Sequence, residues 1–271
     1  MTTGRKQDDR GLPLDTSVPH IARVYDYWLG GKDNFGADRA VAEQVIATFP
    51  DVVVIARAQR AFLGRVVHYL AAEAGIRQFL DIGTGLPAAD NTHEVAQRAA
   101  PSARVVYVDN DPIVLVHARA LLASGPEGAT AYIDADARDT ETILAEAAKL
   151  LDFSQPVAVM LLGVLHCIPD EDDPAGIAAR LVDAVAPGSY LAIVHPASDV
   201  ATEKMEQAMG DYNKQAGSAL SARSHDEVGR FFDGLDLVEP GLVQIHRWRP
   251  GADDVDQGRE LAAYGGLGRK P

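Results

Sequence analysis

Residues 79–97 read FLDIGTGLPAADNTHEVAQ: an apolar run of strand length that passes through Asp81 into Gly83 and Gly85, followed by a helical pattern. Glycines at the carboxyl end of a first parallel strand let the backbone approach a ligand, whose polar groups then face the N-terminus of the next helix. The same order recurs downstream. A second run, RVVYVD at 104–109, ends in Asp109, 24 residues after Gly85, and a third, TAYID at 130–134, ends in Asp134 with Asp136 just beyond. A carboxylate at the second strand tip is placed to accept both hydroxyls of a ribose. A carboxylate or backbone group at the third could read an adenine amino edge. Taken singly, the glycines read as a tight turn and the aspartates as solvated loop acids. Taken in order, at three successive strand ends, they read as a nucleotide site on one edge of a sheet.

Outward from this stretch, VAVMLLGVL at 157–165 and YLAIVH at 190–195 supply two more continuous apolar runs, as a parallel sheet buried on both faces requires. Helical patterns at 93–99, 113–123, 140–151 and 175–186 alternate with them, the last opened by Asp173 as cap and Pro174 at the first turn. The expectation is an α/β fold with a doubly wound, mostly parallel, seven-stranded sheet. A helical insert follows at 202–216 and a helix at 226–232. LDLVEP and LVQIHRW, joined by a Pro-Gly turn, then predict a closing antiparallel hairpin. Upstream, 1–14 reads as a flexible polar terminus. Val41, Val45, Ile46 and Phe49, then Ala58, Phe62, Val66, Tyr69 and Leu70, recur at helical spacing. Residues 15–74 are thus expected to form an α-helical cap on a sheet unit at 75–271.

Composition narrows the partners. The balance of 25 Lys+Arg against 39 Asp+Glu gives a net charge of −14, which repels nucleic acid and anionic membrane surfaces. No stretch is apolar for long enough to span a bilayer, and the first residues lack the apolar core of a signal peptide. Cys167 is the single cysteine, which excludes an intrachain disulfide and a thiolate metal cluster and fits a reducing cytoplasm.

Among enzyme classes, GTGLPA at 83–88 also satisfies the GxGxxG/A fingerprint, so a nucleotide-dependent oxidoreductase is one reading. Against it, no tyrosine heads a TyrxxxLys pair, and the sheet ends in β runs with no further βαβ unit. Hydrolase motifs are missing: there is no GxSxG, and Gln97 interrupts what would be HExxH after His93 and Glu94.

DIGTG at 81–85, VDND at 108–111, DAD at 134–136, LLGVLH at 161–166 and APGSYLAIV at 186–194 together resemble class I S-adenosylmethionine-dependent methyltransferases. HIARVYDYWLGGKDNFGADR at 20–39, RAQRAFL at 57–63, FLDIGTGLP at 79–87, VVYVDNDP at 105–112 and VQIHRWRP at 243–250 resemble, more narrowly, one bacterial S-adenosyl methyltransferase family formerly classed as a domain of unknown function. The resemblance implies S-adenosylmethionine as cofactor and methyl transfer to a small molecule by direct displacement. A regulatory protein that binds the cofactor without catalysis would keep the same residues. Carried over by position, it implies that Asp81 and the backbone of Gly83, with Thr84 beside it, face the methionine end. Gly85 would lie along the adenosine, Asp109 would hold the ribose, and Asn110 would flank the adenine. Asp136 and the Ala137 amide would read the adenine edge, while Gly163 and Val164 would line the sulfonium. One departure from DxGxGxG is Pro87 at the third glycine, which predicts a stiffer loop and an earlier helix start.

His166, just past the fourth strand, is the candidate base for an acceptor proton, or else a histidine hydrogen bonded in a corner. Cys167 reads as a small buried apolar residue. DEDDP at 170–174 reads as a polar loop with a helix cap and not as a metal site. Tyr25, Tyr27, Trp28 and Phe35 are four of 17 aromatics, set around Gly30 and Gly31 with Lys32 and Asn34. They predict a lid over the sulfonium, with Tyr25, Lys32 and Asn34 at the cofactor and acceptor. The competing reading is a helix whose rings fill a seam and which stops at Gly30 and Gly31. Arg57 and Arg60, one turn apart, offer either an anion site or an exposed face.

Overall fold

The run Gln78–Ile82 forms β1, buried along its whole length, and the rest of the sheet is built outward from it. The computed structural model describes residues 15–121, 124–216, 219–251 and 258–271; the expected flexible terminus at 1–14 lies outside them. Ahead of β1 come three α-helices, α1 (Ile21–Trp28), α2 (Gly36–Thr48) and α3 (Val52–His68), the last extended by a π-helical turn at Tyr69–Glu73. After it follow α4 (Thr92–Ala99), β2 (Arg104–Asp109), α5 (Pro112–Leu121), β3 (Ala129–Asp134), α6 (Thr140–Ala147) and β4 (Ala158–Leu162). Next come α7 (Pro174–Asp183), β5 (Tyr190–Pro196), α8 (Thr202–Ala216) and α9 (His225–Gly229). The chain closes with β6 (Asp236–Leu237), β7 (Val243–Gln244) and β8 (Ala263–Arg269).

The strand order is β3-β2-β1-β4-β5-β8-β6, with β7 also on β8. The five strands β1 to β5 are parallel, and β8 runs antiparallel to β5. Their alternate residues feed two cores. Leu80, Val106, Val159 and Ile193 meet α1, α2 and α6 to α8 on one face. Phe79, Val105, Met160 and Ala192 meet α3, α4 and Trp248 on the other. Among the described residues α3 is therefore more than a cap element: its second half, with Phe62 and Val66 fully buried, covers the sheet.

The chain end corrects one expectation. The runs around β6 and β7 do not pair with each other as a hairpin; each is a two-residue strand hydrogen bonded to β8, so the described sheet has eight strands and not seven. β8, AYGGLGR, lacks the apolar alternation by which a strand is read. Its glycines answer to packing: a Cβ on Gly265 would lie 2.9 Å from Phe62, and one on Gly268 2.9 Å from Phe232. Large rings pack against this strand, and only glycine leaves room for them. No helix among the described residues is long and apolar enough to cross a membrane.

Candidate active site

The turns after β1 and β4 meet face to face. Gly83 and Gly163 both take positive φ, +72° and +86°; a Cβ on Gly83 would lie 2.5 Å from the Val164 Cβ, and one on Gly163 2.6 Å from Nε2 of Gln59. Gln59 in turn donates to the Leu162 carbonyl at 2.9 Å, tying α3 to the end of β4. Pro87 does not start the next helix early. The loop runs on to Asn91, which forms a capping box with Glu94, so α4 begins at Thr92. Arg60 holds that longer loop, donating to the carbonyls of Ala89 at 2.7 Å and Asp90 at 2.9 Å, while Arg57 is exposed.

Three acids stand at the strand tips in different states of engagement. Asp81 is buried and accepts a hydrogen bond from Thr92 Oγ1 at 2.6 Å; burial pushes its carboxyl up to about 6 against the opposing pull of Thr92 and Arg60. Asp109, also buried, accepts the Asp111 N–H on Oδ1 at 2.9 Å and the Gly85 N–H on Oδ2 at 2.8 Å. A carboxylate has about four acceptor positions, so each Asp109 oxygen keeps one for a ligand hydroxyl. Asp136 differs. Arg138 donates to it from its side chain at 2.8 and 2.7 Å and from its backbone at 2.9 Å, and Asn110 adds a fourth bond at 3.3 Å. The Arg138 guanidinium holds the Asp136 carboxyl below its ordinary range.

These residues open onto a cavity of about 460 Å³, within the range of small-molecule sites. Asp81, Gly83, Thr84, Gly85, Asp109, Asn110, Asp136, Ala137, Gly163, Val164, His166 and Tyr25 all line it. Lys32 and Asn34 do not. Asn34 is buried and donates to Asp26 Oδ2 at 2.8 Å, and the same oxygen accepts the Asp33 N–H at 3.0 Å. A Cβ on Gly31 would collide with this carboxylate. The Gly-Gly segment is thus wound around Asp26, which takes Asn34 inward and leaves Lys32 exposed beside a separate hollow of about 270 Å³. The aromatics divide as well. Tyr25, donating to the Ala56 carbonyl at 2.9 Å, and Trp28 line the cavity, whereas Phe35 packs with Leu86, Ile113 and Val114. The segment is both seam and wall, and Gly30, φ +81°, follows the end of α1.

Beyond β4 the cavity reaches His166, whose ring stands edge-on to His195 at 6.1 Å. Burial, with the nearby Arg223 charge, brings His166 down to about 4. His195 spends both ring nitrogens, on the Pro196 carbonyl at 2.9 Å and on Arg223 at 2.7 Å. Arg223 also donates to the carbonyls of Leu165 and Ile168, each at 3.2 Å, and to Asp170 at 2.6 Å. Two residues earlier, the Ser221 N–H donates to the His166 carbonyl at 2.8 Å. Cys167 is only partly buried, packed against the core beside His166, and desolvation pushes its thiol up to about 12. In DEDDP, Asp173 caps α7 by accepting the Gly176 N–H.

Sequence reasoning passed over Arg223 and Arg138, which carry no periodic or motif signal, and gave no role to Gln59 within the RAQRAFL stretch at 57–63. It also left α8 as an insert. Met205, Ala208, Met209, Tyr212 and Ala216 of that helix all line the cavity, and their spacing is a helical stripe that points to a buried face.

A parallel sheet closed by an antiparallel last strand, with a glycine turn after β1 and an acid at the tip of β2, defines a class I S-adenosylmethionine-dependent methyltransferase. The chain belongs to the S-adenosyl methyltransferase family, whose description matches residues 7–271, and it is a methyltransferase that uses S-adenosylmethionine. It is similar to a DUF574 family protein of Streptomyces avermitilis, at 46% identity over 95% of this chain and 99% of that one, with a TM-score of 0.92. A Thermobifida fusca protein described as a candidate methyltransferase shares 44% identity over 94% and 96% of the two chains, with a TM-score of 0.86. An Anabaena variabilis S-adenosylmethionine-dependent methyltransferase shares the fold, at 11% identity over 100% of this chain and 99% of that one and a TM-score of 0.51. No curated protein matches the chain.

Proposed function

We propose that the cavity holds S-adenosylmethionine along the tips of β1, β2 and β3 and passes its methyl group to a small molecule bound on the far side of Gly163 and Val164. The residues present suit this cofactor. The left-handed turns at Gly83 and Gly163 bring the loops after β1 and β4 together, with Val164 and Gln59 packed where a Cβ would stand, and the buried Asp81 and Asp109 offer anionic acceptors to a cationic ligand. The observation that carries the reading is Asp109, whose two oxygens each keep an acceptor position at the point where a ribose would lie.

When bound, the sulfonium supplies a methyl carbon to which an acceptor lone pair bonds while the S–C pair stays on sulfur, leaving S-adenosylhomocysteine. The chain's work is then alignment. Asp81 receives the methionine ammonium. Tyr25 and Trp28 line the cavity with aromatic rings suited to a cation, and the 15–74 segment as a whole acts as a cap that keeps water out. His166, neutral near physiological pH because of burial, accepts a hydrogen bond from the acceptor group and orients it, and the proton released passes to solvent. Asp136 and the Ala137 amide serve the adenine, with Asn110 the donor that yields when the base enters. Lys32 and Asn34 are left out of the site. The bacterial origin of the two similar crystallised proteins and the single Cys167 support a role in a bacterial cytoplasm.

The test is calorimetry with S-adenosylmethionine on the intact chain and on Asp109→Ala, followed by a metabolite-extract screen for S-adenosylhomocysteine formation. Equal affinity in the two proteins would remove Asp109 from the ribose, and absence of turnover on every extract would refute the small-molecule acceptor.

A further inference from the structure

The cavity has two chemically different halves. Its charged lining, including Arg23, Arg60, Asp81, Asp109 and Asp136, comes from the N-terminal segment with α1, from α3 and from the strand tips of the nucleotide side. The opposite wall, built from α2, the first turn of α3 and α8, presents Val45, Phe49, Ile55, Met205, Met209 and Tyr212, with no charged side chain among its lining residues. Val45, Phe49, Met205 and Tyr212 belong to the buried core itself, so this wall is dry as well as apolar. An ionised group placed against it would lose its hydration and find no counter-charge. Met205 and Met209, unbranched and polarisable, shape themselves to flat rings. Between the halves sits His166, whose Nδ1 is buried without a hydrogen-bond partner. The neighbouring His195 has none to spare, because both its nitrogens are engaged. His166 is therefore a polar point at the edge of a largely apolar chamber, whose α2–α8 wall adds only the Tyr212 hydroxyl, next to Gly163 and Val164.

Resting on the methyl-transfer reading above, we infer that this chamber is the acceptor subsite and that it takes an uncharged molecule. That molecule has an aromatic or alicyclic body, and it carries a single hydroxyl or amine that meets His166. Carboxylates and phosphates are rejected because the α2–α8 wall holds no cation with which to pair them.

The probe is N-phenyl-1-naphthylamine, an uncharged dye that brightens in apolar surroundings, titrated into the full chain saturated with S-adenosylhomocysteine. At neutral pH, 2-naphthol is expected to displace the dye at roughly tenfold lower concentration than 2-naphthoate, which differs by its charge. Met209→Glu is expected to weaken the dye by about tenfold, whereas Met209→Leu keeps it, both variants retaining S-adenosylhomocysteine affinity by calorimetry. That retained affinity shows that the variants are folded. Displacement at equal concentration by 2-naphthoate, or dye binding indifferent to Met209→Glu in a protein that holds S-adenosylhomocysteine, overturns the inference. Failure of the unaltered chain to bind S-adenosylhomocysteine at all overturns the cofactor geometry, and the acceptor subsite with it.

Discussion

The Gly85 N–H donates to the Asp109 carboxylate at 2.8 Å, closing the loop after β1 onto the tip of β2. One acid thus shapes the glycine turn and still faces the cavity, so the ribose position and the loop conformation are set by the same group.

Asp109→Ala is expected to weaken S-adenosylmethionine by about 1.5–3 kcal/mol, the range for hydrogen bonds to a charged group. Asp109→Asn, which keeps one acceptor oxygen, should fall between the two. Calorimetric dissociation constants decide it; a loss confined to protein stability with affinity intact would assign Asp109 to the loop alone.

Cofactor affinity should depend on pH through Asp81. Burial raises this carboxyl to about 6 in the free protein. A bound ammonium favours the ionised form and lowers that value, so binding is strongest above about 6 and weakens as pH falls through it, by up to about tenfold per pH unit. Isothermal titrations across this range should show proton release on binding near the midpoint, and Asp81→Asn should flatten the profile.

Gly83→Ala and Gly85→Ala separate crowding from backbone strain. Both positions have positive φ, but only at Gly83 does a Cβ meet a neighbour, Val164 at 2.5 Å. Gly85→Ala is expected to lose about 1–2 kcal/mol of unfolding free energy from the left-handed backbone alone. Gly83→Ala should lose more, by an overpacking penalty of about 1–3 kcal/mol. Urea unfolding of the two variants tests the order.

Arg223→Met removes a buried guanidinium with four acceptors around it. The expected destabilisation is about 2–4 kcal/mol, because the carbonyls of Leu165 and Ile168 and the His195 ring lose a charged donor. The same change lifts one of the influences that keep His166 and His195 low, at about 4 and about 3. Their imidazole resonances should then titrate at higher pH in NMR spectra.

Truncation of residues 1–36 is expected to abolish turnover and cofactor retention, while truncation of 1–12 does neither. The longer cut takes Tyr25 and Trp28 from the cavity wall. It also strips His20 and Arg23 from Asp111, leaving a buried carboxylate without the two side chains that pair with it. Retention of S-adenosylhomocysteine by the shorter chain would show that the cap is dispensable for binding.

The parallel half of the fold was legible because strands buried on both faces read as near-continuous apolar runs, as β1, β2, β4 and β5 do, and the half-buried edge strand β3 still keeps a short β-forming run. Strand tips followed from the strands, and with them Asp81, Asp109 and the glycine turns. β8 was not legible, since the feature that makes it fit, glycine under Phe62 and Phe232, erases the pattern by which strands are recognised. Lys32 and Asn34 misled for a different reason. Their proximity to Tyr25 in the chain is real, but Asp26 turns the segment back on itself and sends them elsewhere. Arg223 lies some 50 residues from the loop that it holds, a distance across which one sequence carries no signal.

Arg223 and Ser221 follow α8, which roofs the apolar chamber, and they are fastened to the loop that carries His166, while Ala197 bridges to Arg223 at the end of β5. Roof and floor of the chamber are thus tied into one piece, running from Leu165 to Ser224. An attempt to redirect specificity by grafting α8 from a relative would pull that piece apart at Arg223. The unit of exchange, for a protein engineer as for recombination between family members, is the whole cassette of residues 165–224.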